Sequence, residues 1–235
     1  MIIEGPLVSG TFVERPNRFI AIVMKGGQVV RTHLPDPGRL KELLIPGARL
    51  LLRPALKGSN RKTKYSTVMV NHGGQLISLV SALPNRFVLE SFFDESLPML
   101  KGYKLVQPEV SHGNHRFDFL LKDNNGKQFY LEVKSVTYVE NRLAQFPDAV
   151  TQRGTRHAKA LAKLVDEGNR AGILFVCQRS DADRFIPMWD RDPEFGNALL
   201  EAKKVGVKVW CITTHFTETE MTFQKEIPVN LNLPD

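Results

Sequence analysis

The sequence predicts a two-part protein in which a small N-terminal β-barrel precedes an α/β domain with a central mixed sheet. Taken as a whole, the fold class is α+β. Short strand-like runs separated by Gly and Pro fill the first third of the chain. The remainder alternates helices with strands, and three meandering strands lie between its first two helices. The pattern changes near Pro84, which predicts a barrel domain over 1–83 and an α/β domain over 84–235.

Composition and charge narrow the class of protein. The 235 residues include 32 Lys and Arg against 25 Asp and Glu, a net charge of +7, which favours a polyanionic partner such as DNA. No apolar run approaches a membrane span and no signal-peptide pattern opens the chain, so we expect a cytoplasmic protein with no membrane partner. Cys177 and Cys211 fall in predicted strands and match no zinc or redox spacing, which predicts buried reduced thiols.

The first part is predicted to form a small β-barrel of the oligonucleotide-binding (OB) type, because five or six short strands follow one another at close spacing. The predicted strands are 7–14, 18–24, 29–33, 49–55, 66–70 and 75–80, with one brief helix at 38–44. Loop 57–64 and Arg53 together form a candidate patch that tracks phosphates. A basic loop is also typical of a plain solvated connection. The patch residues that we expect to bind nucleic acid are Arg53, Arg61, Lys62 and Lys64.

In the second part, Pro84 and Asn85 are predicted to start a helix, with Asn85 as its N-cap. Glu90 borders the apolar face of this helix, where its carboxylate can point towards the sheet or into solvent. A strand over 104–110 then leads into a hairpin.

A helix that opens after Phe146 and runs to about Glu167 places Arg153 and His157 near its start, where they could hold a phosphate. An Asp148 cap and a satisfied, partly buried His157 are the alternatives for the same residues. Apolar strands at 171–178 and 207–214 flank a helix at 194–204, which predicts a partly parallel sheet, followed by a weaker strand at 221–231.

The hairpin over 116–135 carries two acids and a lysine. Glu132 and Lys134 are two residues apart on a strand, so they share one face. If 124–126 is a three-residue loop with Gly126 in the left-handed conformation, Asp118 lies opposite Glu132, with Cβ atoms ~5 Å apart. A two-residue turn at Asn125 and Gly126 would instead place the two acids on opposite faces.

Two neighbouring carboxylates repel each other, and a divalent cation offsets that repulsion. Oxygen ligands on a rigid face suit Mg²⁺ or Mn²⁺, for which Asp118 and Glu132 are the predicted ligands. Lys134 could orient or deprotonate a water, or stabilise charge on a phosphate, and Glu90 could assist through a water. The predicted catalytic set is therefore Glu90, Asp118, Glu132 and Lys134. An ordinary Glu–Lys pair on a surface hairpin has the same spacing.

The order of these residues on helix, second strand and third strand resembles the PD-(D/E)XK nuclease fold. The chain as a whole resembles the sugar fermentation stimulation protein family, SfsA, although Asp36 stands where the resemblance leads us to expect Asn. The blocks that carry this likeness are His33–Leu40 with Pro46–Gly47, Lys62–Tyr65, Leu83–Arg86, Arg116–Phe119, Glu132–Val136, and Phe146–Thr151 with Arg153, Gly154 and His157.

The resemblance implies DNA binding, and an OB-type barrel followed by a nuclease-like domain. We expect Arg39, within the first block, to join the nucleic-acid-binding residues. Our first hypothesis is a DNA-binding protein with Mg²⁺- or Mn²⁺-dependent phosphodiesterase activity, making backbone contacts with little sequence specificity and acting as a possible homodimer. The alternative is a non-catalytic DNA-binding regulator of sugar-utilisation genes on a nuclease-like scaffold.

Overall fold

The computed structural model describes residues 1–56, 58 and 60–233, and its first sheet forms a closed barrel. Neighbouring strands run antiparallel in the order β3-β2-β1-β4-β5-β6, and a short parallel pairing of β3 with β5 closes the barrel. The strands are β1 Val8–Asn17, β2 Ile20–Lys25, β3 Gln28–His33, β4 Arg49–Pro54, β5 Tyr65–His72 and β6 Gln75–Ser78.

The helix predicted at 38–44 is wrong, because this segment forms a turn. Leu40 has a φ of 51°, which interrupts a right-handed helix before it can continue. Leu40, Leu43 and Leu44 are nevertheless buried in the barrel core, so their apolar spacing reflects packing at an irregular segment.

The second domain contains a six-stranded mixed sheet in the order β15-β14-β12-β9-β8-β7. β12 lies parallel to both β9 and β14, as the continuous apolar strands predicted, and the other pairs are antiparallel. The elements of this sheet are α1 Leu83–Asp94, β7 Lys104–His112, β8 His115–Lys122, β9 Gln128–Val136, α2 Gln152–Asp166, β12 Arg170–Cys177, α3 Pro193–Lys204, β14 Lys208–Phe216 and β15 Met221–Ile227.

A small three-stranded sheet was not predicted. It consists of β10 Val139–Glu140, β11 Leu143–Phe146 and β13 Arg184–Pro187, which pair in the order β10-β11-β13. Strands of two to four residues carry too little alternation to be recognised in a sequence.

Two apolar cores lie on the two faces of the large sheet. One core joins the sheet to α2 and α3, and includes Phe175 and Phe195. The other joins it to α1 and also contains Leu51 and Met69 of the barrel, so the two domains share a core. Cys177 and Cys211 are buried and free, as predicted. Within the described ranges, no helix has the length and apolar character needed to cross a membrane.

Candidate metal and nucleic-acid site

The turn of the β8–β9 hairpin sets the register of the site. Asp123 donates its N–H to the Lys127 carbonyl at 3.0 Å, and Gly126 has a φ of 77°. The paired residues run from Lys122 with Gln128 to Phe119 with Leu131. The three-residue loop is therefore confirmed, and the next position along the register brings Asp118 to Glu132.

The two strands part at Asp118, whose side chain takes the place of a main-chain partner. Its Oδ2 accepts the Val133 N–H at 2.7 Å, and its Oδ1 accepts a hydrogen bond from Asn85 Nδ2 at 2.5 Å. Burial, together with the negative charge of Glu132, raises the pKa of Asp118 to about 6, against the opposing effect of these hydrogen bonds. Asp118 is thus held rigidly in a place that disfavours its charge.

Glu132 is the more buried of the two acids Asp118 and Glu132, with 3% of its side chain exposed. Its Oε1 accepts from Lys134 Nζ at 2.6 Å and from His157 Nδ1 at 2.5 Å. Burial acts to raise the pKa of Glu132, but the hydrogen bond from His157 and the charge of Lys134 outweigh it, so the pKa lies below its ordinary value. Glu132 Oε2 is buried and has no hydrogen-bond partner in the described structure.

This unpartnered oxygen is what a cation ligand requires. A buried carboxylate oxygen without a donor is costly, and a cation beside it removes the cost. In the described part of the chain, no group of three or more His, Cys, Asp or Glu side chains is arranged to hold a metal. Asp118 and Glu132 alone fit a hard cation that completes its shell with water and phosphate oxygens.

Glu90 lies away from the contacts that hold Asp118. Its carboxylate pairs with Arg86 at 3.1 Å and lies 4.0 Å from the amino group of Met1. The α1 residue that reaches the site is Asn85, for which the sequence predicted another role. The helix begins at Leu83 with Ala82 as its N-cap, so Asn85 falls within the first turn and its amide is free to bond Asp118.

His157 and Arg153, both on α2, have different surroundings. His157 is buried against Phe117 and hydrogen-bonded to Glu132. It therefore holds the carboxylate of Glu132 and is not open to a phosphate, contrary to the prediction. Arg153 is exposed in the first turn of α2. The cap of that helix is Thr151, whose hydroxyl accepts the Gly154 N–H, and not Asp148.

The basic residues of the barrel lie mostly on its surface. Arg53 Nε donates to the Glu4 carbonyl at 2.9 Å, Arg61 Nη1 donates to Ser66 Oγ at 3.2 Å, and both arginines line one cleft of about 660 Å³. Lys57, within the predicted basic loop, lies outside the described residues. The remaining predicted contacts Arg39, Lys62 and Lys64 are exposed.

Sequence reasoning missed two groups that complete the site, the Asn85 amide and the Val133 N–H. The only signal for Asn85 was a polar residue close to a helix start, which equally indicates a cap. The Val133 N–H carries no signal, because every strand residue has one.

Both domains match family models of known proteins. The family model described as the SfsA N-terminal OB domain matches residues 13–79, and the sugar fermentation stimulation protein RE domain matches residues 82–220. A sugar fermentation stimulation protein homolog from Alkaliphilus metalliredigens is 41% identical over 97% of this chain and 98% of its own length. A homolog from Moorella thermoacetica is 41% identical over 96% of this chain and 97% of its own.

A solved structure is also similar along almost the whole chain. The SfsA protein of Pyrococcus furiosus, in complex with Ca²⁺, superposes with a TM-score of 0.88 at 28% identity, covering 98% of each chain. These matches and the observed element order confirm the predicted architecture, an OB-type barrel followed by a PD-(D/E)XK nuclease-like domain.

Proposed function

The chain belongs to the sugar fermentation stimulation protein family, and from that premise we propose that it binds DNA and hydrolyses its phosphodiester bonds with Mg²⁺ or Mn²⁺. The observation that carries this proposal is Glu132 Oε2, which is buried beside Asp118 and Lys134 and finds no hydrogen-bond partner among the described residues. A structural acid pair has no use for an oxygen kept without a donor. We place this activity in the cytoplasm, where the two buried thiols remain reduced.

Asp118 and Glu132 would hold the cation, as hard oxygen ligands that leave room for water and phosphate. A cation bound there would polarise a phosphate oxygen and lower the pKa of a bound water. The Ca²⁺ in the Pyrococcus furiosus relative supports a site for a hard cation in this family. The choice of Mg²⁺ or Mn²⁺ follows from the small number of protein ligands.

The other side chains of the site position these ligands and meet the substrate. Asn85 and the Val133 N–H fix the carboxylate of Asp118, and His157 fixes that of Glu132. The Lys134 side chain remains 13% exposed, so its ammonium can donate to a water or to a non-bridging phosphate oxygen. These contacts hold the reacting groups in place before the substrate arrives, which reduces the entropy lost on reaction.

DNA would be held through its backbone, with little sequence specificity. The net charge of +7 favours phosphate contacts, for which Arg39, Arg53, Arg61, Lys62, Lys64 and Arg153 are the proposed residues. A homodimer remains a prediction.

A nicking assay tests the activity. Supercoiled plasmid is incubated with the protein in Mg²⁺, Mn²⁺ or EDTA, alongside the variants Asp118→Ala and Lys134→Ala. We expect metal-dependent nicking by the wild type and none by either variant. Asp166→Ala removes an exposed carboxylate at the end of α2 and serves as the matched control, which should nick normally.

DNA affinity is measured in parallel by fluorescence anisotropy in EDTA, where both site variants should bind nearly as well as the wild type. Nicking that is equal in the wild type and the variants would contradict the catalytic proposal. Binding without any metal-dependent cleavage would instead support the non-catalytic regulator.

A further inference from the structure

A second cleft lies between the barrel and the nuclease-like domain, with a volume of about 320 Å³. We call it the interdomain cleft. Its barrel side is formed by the loop that carries Asp36 and Gly38, and by Ser81 at the domain junction. Its other side is formed by Ser135, Asp148 and Thr151. The proposed cleavage uses none of these side chains.

The interdomain cleft is connected to the metal site through the chain. Ser135 directly follows Lys134 on β9, and Thr151 caps α2, the helix that carries His157. Ser81 immediately precedes the cap of α1, the helix that carries Asn85. Three elements of the site therefore continue into the walls of the cleft.

Two facing carboxylates determine what the cleft can accept. Asp148 Oδ2 accepts the Arg39 N–H at 2.6 Å, and a Cβ on Gly38 would lie 2.6 Å from the same oxygen. Asp36 is 6% exposed and its Oδ1 accepts the Gly38 N–H at 2.7 Å. In the described part of the chain, no group donates to Asp36 Oδ2.

The charge on Asp36 is poorly compensated. Arg15 donates to main-chain carbonyls of this loop, including those of Gly38 and Asp36, and not to the carboxylate. Burial, together with the charge of Asp148, raises the pKa of Asp36, against the opposing effects of the Gly38 N–H and Arg15. A negatively charged phosphate would add repulsion here, whereas a ligand that presents an N–H donor would relieve it.

The size of the cleft and its walls point to one nucleotide. A volume of about 320 Å³ is at the lower end for small-molecule pockets and far too small for a duplex. Pro37, Phe146 and Pro147 supply flat apolar surface for a base, and exposed Arg18 lies at the cleft to meet a phosphate. Enzymes that do chemistry on a base take its nucleotide out of the base stack into a closely fitting pocket, so a pocket of this kind can hold an unpaired nucleotide.

We propose that the interdomain cleft binds one unpaired nucleotide of the bound strand, and that the amino group of adenine or cytosine donates a hydrogen bond to Asp36. The inference rests on the proposed function, because it requires a bound nucleic acid. It adds a preference for single-stranded or unpaired positions and for bases that carry an amino group. Thymine presents a carbonyl at the corresponding position, which Asp36 repels.

The experiment measures binding of fluorescein-labelled single strands of about 12 nucleotides, made only of dA, dC or dT, by anisotropy in EDTA. The wild type should bind the dA and dC strands about fivefold to tenfold more tightly than the dT strand. Asp36→Asn keeps an oxygen for the Gly38 N–H and turns a donor towards the cleft. It should bring the three affinities within about twofold or favour dT.

Two controls isolate the effect. Asp166→Asn makes the same change of charge on an exposed residue and should leave the base preference as in the wild type. A blunt duplex should bind wild type and Asp36→Asn equally, since its bases are paired. Strands that bind without base preference, or a preference that Asp36→Asn does not change, would overturn the cleft assignment alone. A protein that binds none of the strands and no duplex would overturn the proposed function itself.

Discussion

Replacing Asp118 by Asn should stabilise the metal-free protein at neutral pH. The carboxylate of Asp118 is buried beside Glu132, and these surroundings raise its pKa from 3.8 to about 6. Asn retains an oxygen for the Val133 N–H, and the Asn85 amide can rotate to accept from the new amide group. The substitution therefore removes a buried charge while it keeps the hydrogen bonds of the site.

The sign of the pH dependence of stability follows from proton binding to Asp118. Between pH 3.8 and about 6, the folded protein binds the Asp118 proton and the unfolded chain does not, so stability falls as pH rises through this window. The contribution of this group is fully present below pH 3.8 and is lost above pH 6. A pKa change of this size corresponds to a free energy on the order of 3 kcal/mol. The advantage of Asp118→Asn over wild type should grow by about that amount.

Urea unfolding in EDTA at pH 4 and pH 7.5, for wild type and Asp118→Asn, measures this difference. Asp183→Asn is the control, because hydrogen bonds from Arg142 and Lys225 hold the pKa of Asp183 well below its usual range, so the contribution of its charge is present at both pH values. The stability of that variant relative to wild type should therefore change little between pH 4 and pH 7.5. Mn²⁺ at pH 7.5 should raise the free energy of unfolding of the wild type and not of Asp118→Asn. A stability difference that does not change with pH would refute the reasoning.

Three further predictions concern His157, the basic loop of the barrel and Gly38. His157→Phe should weaken Mn²⁺ binding to Glu132 about tenfold, as measured by calorimetry, and His157→Gln should recover part of it; equal affinities would remove the positioning role. Lys62→Ala combined with Lys64→Ala should reduce the slope of log affinity against log salt for duplex DNA by roughly 1 to 2, and an unchanged slope would exclude these lysines from phosphate contact. Gly38→Ala should lower the free energy of unfolding by about 1–3 kcal/mol, because its Cβ would clash with the carboxylate of Asp148. If urea unfolding gives the same free energy as for wild type, the loop that carries Asp148 can move aside and the prediction is wrong.

The hairpin could be predicted in detail because the residues that determine its turn and register are close together in the sequence. Gly126 accepts a positive φ at no cost, and Asp123 closes the loop with Lys127. Once that loop length is fixed, the two-residue repeat of a strand assigns every side chain to a face. The opposition of Asp118 and Glu132 thus followed from a few adjacent residues.

The helix residues that reach the site could not be identified from the sequence. Asn85 and Glu90 both lie on α1, but positions five apart on a helix differ by about 140° around its axis. The sequence pattern could not determine which of them faces the hairpin, because the apolar stripe fixed only an approximate direction. The contact between His157 and Glu132 joins residues 25 positions apart, and it depends on how α2 packs against the sheet. Such pairings are set by tertiary structure and leave no local periodicity.

The same long-range contacts explain why the acid pair is unusual. Asn85, the Val133 N–H, Lys134 and His157 all donate to the two carboxylates, yet one buried oxygen of Glu132 receives no donor from the part of the chain that the structure describes. A fold that needed only stability could place an amide or an apolar side chain there at lower cost. Donors arranged to fix both acids while one oxygen stays free favour a centre that is complete only when a cation is bound. This is why removing the charge at Asp118 should stabilise the metal-free protein and, with the same change, abolish cleavage.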